Sequence, residues 1–282
     1  MKPFISLGCA LWLCGHPALA DTETFIPVAD TTISGNNGAM ASGVTPHMIV
    51  GHLDPDHANT TARGLLRFDL SSLPSGIVIT SVTLKVSVTA SASAGTDTHS
   101  LHALNTGWAE TSATWIDSGG APWEEQGGDF VGAPDASVGI AGVGAYTFAS
   151  TASLIATVQT WATNATANHG WILRSETEST GRSGRRLNTR EAPLDQPTLT
   201  VGYTIPPPPL PAATLTQPRV ADNKFSFGFV TTNGVSYLVQ YKESLTTGGW
   251  IDLTNFHGAV GGTNLIEDSL SPTQRYYRVV SP

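Results

Sequence analysis

The stretch Val82-Thr-Leu84-Lys-Val86-Ser-Val88 puts an apolar side chain at every second position. That period belongs to a β-strand with one buried and one wet face. Burying the four apolar side chains contributes roughly 6–10 kcal/mol before entropy is subtracted. Working outward, residues 65–70, 100–104, 146–148, 171–173 and 198–203 predict further strands. Clusters of Gly, Pro, Asn and Ser separate them, as an antiparallel sandwich requires. Residues 153–161 depart from the pattern. Their apolar groups fall at 154, 155, 158 and 161, a helical spacing, which predicts one short helix across an end of the sandwich.

Composition agrees with an all-β chain. Among 282 residues there are 29 Gly and 18 Pro, and charged residues are only 13%, against roughly a quarter in ordinary domains. A hydrophobic fraction of 40% excludes global disorder. The net charge of −8 argues against a nucleic-acid partner, which wants a basic face.

The N-terminus reads as an export signal. Lys2 precedes an apolar run over residues 4–13, and Ala18-Leu19-Ala20 predicts cleavage before Asp21. The run is too short to span a bilayer, and no later stretch predicts a membrane span. Both cysteines, Cys9 and Cys14, fall inside this segment. A secreted protein with neither disulfides nor a cysteine zinc site is therefore expected.

Ile205-Pro-Pro-Pro-Pro-Leu-Pro211 predicts a stiff linker. It would join a first domain, residues 21–204, to a second, residues 212–282. In the second, residues 224–229, 235–241, 250–253 and 275–280 repeat the strand pattern. A small fibronectin- or immunoglobulin-like β-sandwich is expected there.

The order of short motifs in the first segment resembles a known family. Ala29-Asp-Thr-Thr-Ile33 opens it, followed by Gly64-Leu-Leu-Arg-Phe-Asp-Leu70 and Ile79-Thr-Ser-Val-Thr-Leu84. Trp108-Ala-Glu110-Thr-Ser-Ala-Thr114-Trp115, Val158-Gln-Thr-Trp161 and His169-Gly-Trp-Ile-Leu173 come next, and Pro197-Thr-Leu-Thr-Val-Gly-Tyr203 closes it. Over roughly residues 25–204 the chain is similar to the DNRLRE domain family, also classed as carbohydrate-binding module family 96. The Asp-Asn-Arg-Leu-Arg-Glu string itself is absent; Gly184-Arg-Arg-Leu-Asn-Thr-Arg-Glu191 stands nearest. The resemblance implies a jelly-roll β-sandwich that binds carbohydrate without catalysis. The tail, through Tyr237-Leu-Val-Gln-Tyr241, Trp250 and Arg275-Tyr-Tyr-Arg278, resembles a C-terminal module of secreted proteins from Verrucomicrobia-type bacteria.

Four groups of residues are candidates for binding. Trp108, Glu110, Thr114 and Trp115 form either a sugar platform, with indoles stacking on pyranose faces, or an aromatic plug under a loop. Trp123 and Glu125 lie in a Gly/Pro loop, where exposure would suit a ligand unless the indole folds back onto the sandwich. Arg182, Arg185, Arg186 and Arg190 concentrate basic charge within nine positions. They suit the carboxylates or sulfates of an acidic polysaccharide, or else pin the last strand through Arg–Glu pairs. Asp30 and Asn36, with Asp54 and Asp56, offer oxygens for a structural Ca2+. His47, His52 and His57 beside them would suit Zn2+ or Cu2+ instead. The alternative for that cluster is a solvated loop.

No nucleophile elbow, zinc-protease motif or phosphate loop occurs. The expectation is a secreted, non-catalytic protein for polysaccharide or cell-surface glycan. The competing readings are a small polysaccharide lyase or hydrolase on the same sandwich, and a structural adhesin with no sugar ligand.

Overall fold

The computed structural model describes residues 19–36, 42–52, 61–93, 95–179, 182–206, 215–258, 263–269 and 274–281. Most of the expected leader and linker, together with Asp54, Asp56 and His57, lies outside them. The described chain falls into two compact units, and the division comes between residues 206 and 207, inside the proline run.

The first unit contains strands β1 (Leu19–Phe25), β2 (Ala29–Ser34), β3 (His47–His52), β4 (Thr61–Arg67), β5 (Val78–Ser91), β6 (Asp97–Ala103), β7 (Ala136–Ile140) and β8 (Gly144–Phe148). Helix α1 (Ala152–Thr163) follows, then β9 (Trp171–Ser175), β10 (Arg185–Asn188) and β11 (Thr198–Ile205). All pairings are antiparallel. The strand order is β1-β11-β5-β10-β3-β4-β9-β6-β7, with β2 on the other edge of β4 and β8 on the other edge of β5. The sheet curls so that the β5 side and the β4–β9 side face one core. Val82, Leu84, Val86 and Val88 enter it from β5, Leu66 from β4, Trp171 and Leu173 from β9. This is the all-β sandwich that the alternation predicts.

The helix starts where the sequence places it. The Thr151 hydroxyl caps it by accepting from the Leu154 N–H, worth about 1 kcal/mol. Leu154, Val158 and Trp161 are its buried face. The Trp161 ring lies 4.4 Å from that of Trp171. Gln159 ties the helix to the start of β5: its side-chain oxygen accepts from the Ile79 N–H and its amide donates to the Ile77 carbonyl.

Two strands do not alternate, and the structure gives the reason. Leu65 with Leu66, and Trp171-Ile172-Leu173, are buried on both faces. Leu66, Trp171 and Leu173 face the main core. Leu65 and Ile172 join a second core with Ile33, Leu104, Trp108 and Trp123. The loop between β6 and β7 supplies those tryptophans and roofs the outer side of the sheet. A strand covered on both sides reads as a continuous apolar run. Gly170 precedes the β9 run at φ +80°, where a Cβ would meet the Leu66 carbonyl oxygen at 2.2 Å; only glycine fits.

The second unit holds β12 (Leu215–Ala221), β13 (Lys224–Val230), β14 (Ser236–Lys242), β15 (Ile251–His257), β16 (Thr263–Ser269) and β17 (Tyr276–Val280). They form two three-stranded sheets, β12-β13-β16 and β15-β14-β17. Phe227, Phe229, Tyr237, Val239 and Ile266 are buried between them.

The pleat makes a direct prediction. Leu84→Ala should lower unfolding free energy by about 2–5 kcal/mol, while Lys85→Ala, one position along, should leave it nearly unchanged. Urea titrations of the two variants check this, and equal losses would contradict the register.

Candidate functional site

The structure divides the arginine group by strand geometry. The sequence reading placed residues 182–190 in a loop, but 185–188 form β10, inserted between β5 and β3. Alternation then sends neighbours to opposite faces. Arg185 points inward and is 1% exposed. Its guanidinium donates to Asp97 Oδ2 at 2.7 Å and to the carbonyls of Gly95 at 2.8 Å and Ile140 at 3.0 Å. Arg185 is therefore a structural clamp with no reach to a ligand. Arg190, in the turn after β10, grips Glu110 with two bonds of 2.8 and 2.7 Å and pairs with Glu191 at 3.0 Å. It too is occupied, in the strand-pinning manner.

Arg186 is exposed. Its Nε donates to the Thr89 hydroxyl at 3.1 Å, at a bulge between β10 and β5. Arg182 is also exposed. Among the described residues neither has a carboxylate partner. On the same face stands Lys85, which sequence reasoning passed over. It is flanked by Thr198 of β11 and Thr147 of β8, and next to that rank Thr24, Thr200 and Thr83 line up across β1, β11 and β5. No acidic side chain occupies any of these cross-strand positions. Four strand residues from Lys85 to Thr89 span roughly 13 Å, so the two cations stand well apart on a flat, hydroxyl-rich surface. The available signal was in the sequence: Lys85 is the one charge in the strand that decides the fold.

The aromatic candidates are withdrawn from the surface. Trp123 is 5% exposed and its Nε1 donates to the Thr114 carbonyl at 2.8 Å. Trp108 is equally buried, with Nε1 on the His169 carbonyl at 2.8 Å. Trp115 is half-buried beneath the Arg63 guanidinium, 4.9 Å from the ring centre. The indoles fill the second core, so the expected platform is a plug. Glu125 is exposed, and its N–H is held by Asp129 Oδ1 at 3.0 Å.

Of the proposed calcium ligands Asp30 and Asn36 are described, and these two do not converge, while Asp54 and Asp56 lie outside the described residues. Asp30 is buried on β2, while Asn36 is exposed in the turn beyond it. Even the four residues from Asp30 to Ser34 cover roughly 13 Å of strand, and ligands of one calcium ion lie within about 5 Å of each other. His47 and His52 close the two ends of β3, roughly 16 Å apart, so these two imidazoles do not share one metal ion; His57 lies outside the described residues.

Asp30 instead meets two acids from distant parts of the chain. Oxygens of Asp30, Glu110 and Glu191 lie within 4.8 Å of one another. The Asp30 N–H donates to Glu110 Oε1 at 3.0 Å, and Asp30 Oδ2 accepts from the Arg190 N–H at 2.7 Å. Burial, reinforced by the Glu191 and Glu110 charges, pushes the Asp30 carboxyl up to about 7 against that hydrogen bond. Burial also raises Glu110, but the Arg190 bonds and the Asp30 N–H outweigh it, so that carboxyl sits below its usual range.

Two arrangements resemble catalytic sites without their geometry. Ser100 donates to Glu176, with His102 Nε2 at 3.3 Å from the Ser100 hydroxyl. Ser100 is buried and points at the acid rather than at a substrate, so it cannot serve as a nucleophile. An open cleft of about 410 Å3 lies beside α1, lined by Arg67, Asp69, Ser71, Trp161 and Asn168. Its lining carries a single carboxylate, whereas glycoside hydrolysis uses two. No helix among the described residues is long and apolar enough to cross a membrane.

Residues 21–124 match the family model of carbohydrate-binding module family 96. This is the family that the motif order resembles, and the match supports carbohydrate binding by the first unit. The matched segment contains β1 to β6 and much of the tryptophan roof, including Asp30, Lys85 and Glu110. No curated protein matches the chain.

Arg185→Ala should cost about 3–5 kcal/mol, because it strands the Asp97 carboxylate and two carbonyls. Arg186→Ala should leave the urea midpoint close to that of the parent. Similar midpoints for both variants would contradict the inward and outward assignment.

Proposed function

We propose that the protein is secreted and non-catalytic, and that it binds acidic polysaccharide across the outer face of β1, β11, β5, β8 and β10. One observation carries this reading. Lys85 and Arg186 stand on that face, and among the described residues no carboxylate pairs with either, in a chain of net charge −8. Cations left unpaired on an acidic protein suit carboxylate or sulfate groups of a ligand. The surrounding threonines supply donors and acceptors for sugar hydroxyls. With the indoles buried, stacking contributes little, so affinity rests on charge and hydrogen bonds and falls as salt rises. The single carboxylate of the cleft supports a non-catalytic role.

Affinity electrophoresis tests the proposal. A polyuronate or sulfated polysaccharide in the gel should retard the protein at low salt, and a neutral glucan should not. Lys85→Ala with Arg186→Ala should abolish most of the retardation without shifting the thermal midpoint. Retardation by the neutral gel alone, or an unaffected double variant, would sink the reading. Release of reducing ends or unsaturated products from the retained polymer would replace binding by turnover.

A further inference from the structure

We infer that Asp30, Glu110 and Glu191 hold a calcium ion that clasps β2, the loop between β6 and β7, and the turn between β10 and β11. The site is separate from the polysaccharide face, so either proposal can fail alone.

The donor set is built. Its three carboxylate oxygens lie within 4.8 Å of one another, which fits one Ca2+ at 2.3–2.6 Å from each. Asp30 is 1% exposed, and its Oδ1 is buried with no hydrogen-bond partner. Glu191 Oε2 is likewise buried and unpartnered. A carboxylate oxygen removed from water with neither donor nor cation is costly, and two at one locus point to something that binds both. Every other carboxylate oxygen of the cluster has a protein donor: Glu110 has Arg190 and the Asp30 N–H, Glu191 Oε1 has Arg190, and Asp30 Oδ2 has the Arg190 N–H. Three carboxylates face one close guanidinium, that of Arg190, with Arg67 acting on Glu110 from β4. Negative charge therefore remains. An all-oxygen set drawn from a strand, a loop and a turn favours Ca2+ over zinc or a strictly octahedral Mg2+.

The ion would join Asp30 to residues 80 and 161 positions further along, in a chain whose only cysteines precede the first strand.

Full-length protein stripped with EDTA and titrated with CaCl2 tests this. At pH 7.5, calorimetry should give binding near the 10⁻⁴–10⁻³ M range typical of extracellular modules. Calcium should raise the thermal midpoint at pH 7.5. Glu191→Gln should lose the calcium-dependent shift, and Asp30→Asn should lose it too. Asp54→Asn with Asp56→Asn should keep it. Absence of heat and of any shift up to 10 mM CaCl2 would overturn the site. So would a shift that survives Glu191→Gln, or one that disappears with the Asp54 and Asp56 changes.

Discussion

The buried guanidinium of Arg185 is the contact on which the rest of the first unit turns. A charge at 1% exposure is tolerable only when paired and hydrogen-bonded, so Asp97 and the carbonyls of Gly95 and Ile140 must come to it. That fixes β10 against β5 and gathers the start of β6 and the end of β7 around it. Once Arg185 is committed inward, the pleat leaves Arg186 no option but the outer face. One residue of register thus decides both a structural clamp and an exposed cation. Sliding β10 by one position would exchange them, burying an unpaired charge and exposing Leu187.

The second constraint is that the β2–β4–β9 side of the sheet carries apolar residues on both faces. Leu65 and Ile172 would meet water unless the β6–β7 loop closed over them. Trp108 and Trp123 do this, and each satisfies its indole N–H on a backbone carbonyl, as a buried tryptophan requires. The loop that looked free to bind is thereby consumed in packing. What remains outside is the opposite, threonine-bearing face, where polar character is compatible with an uncovered sheet.

The fold was legible because its signals are local. Alternation in Val82 to Val88 and the 154/155/158/161 spacing each depend on a few neighbours, and both elements form where expected. The β10 strand was missed because four residues rich in arginine carry no apolar alternation beyond Leu187. The site was legible only in part. Composition located the basic cluster, and Asp30 was singled out as a ligand. Its partners Glu110 and Glu191 lie 80 and 161 residues away, and nothing in one sequence marks that convergence. Lys85 was quoted within the strand and read as its wet side, because an unpaired charge becomes visible only when its cross-strand neighbours are known.

The register of the outermost ladder bears on mechanics. Asp21 pairs with Tyr203, and Phe25 with Leu199, so the start of β1 lies against the end of β11 in one antiparallel pair. Tension applied between these two points would load the ladder like a zipper, rung by rung, rather than in shear across all rungs together. The β1 strand would peel first, while the core lined by β5, β9 and the helix stayed closed. A tethered protein of this build would yield at its edge under load, and strands β5, β8 and β10 would remain folded.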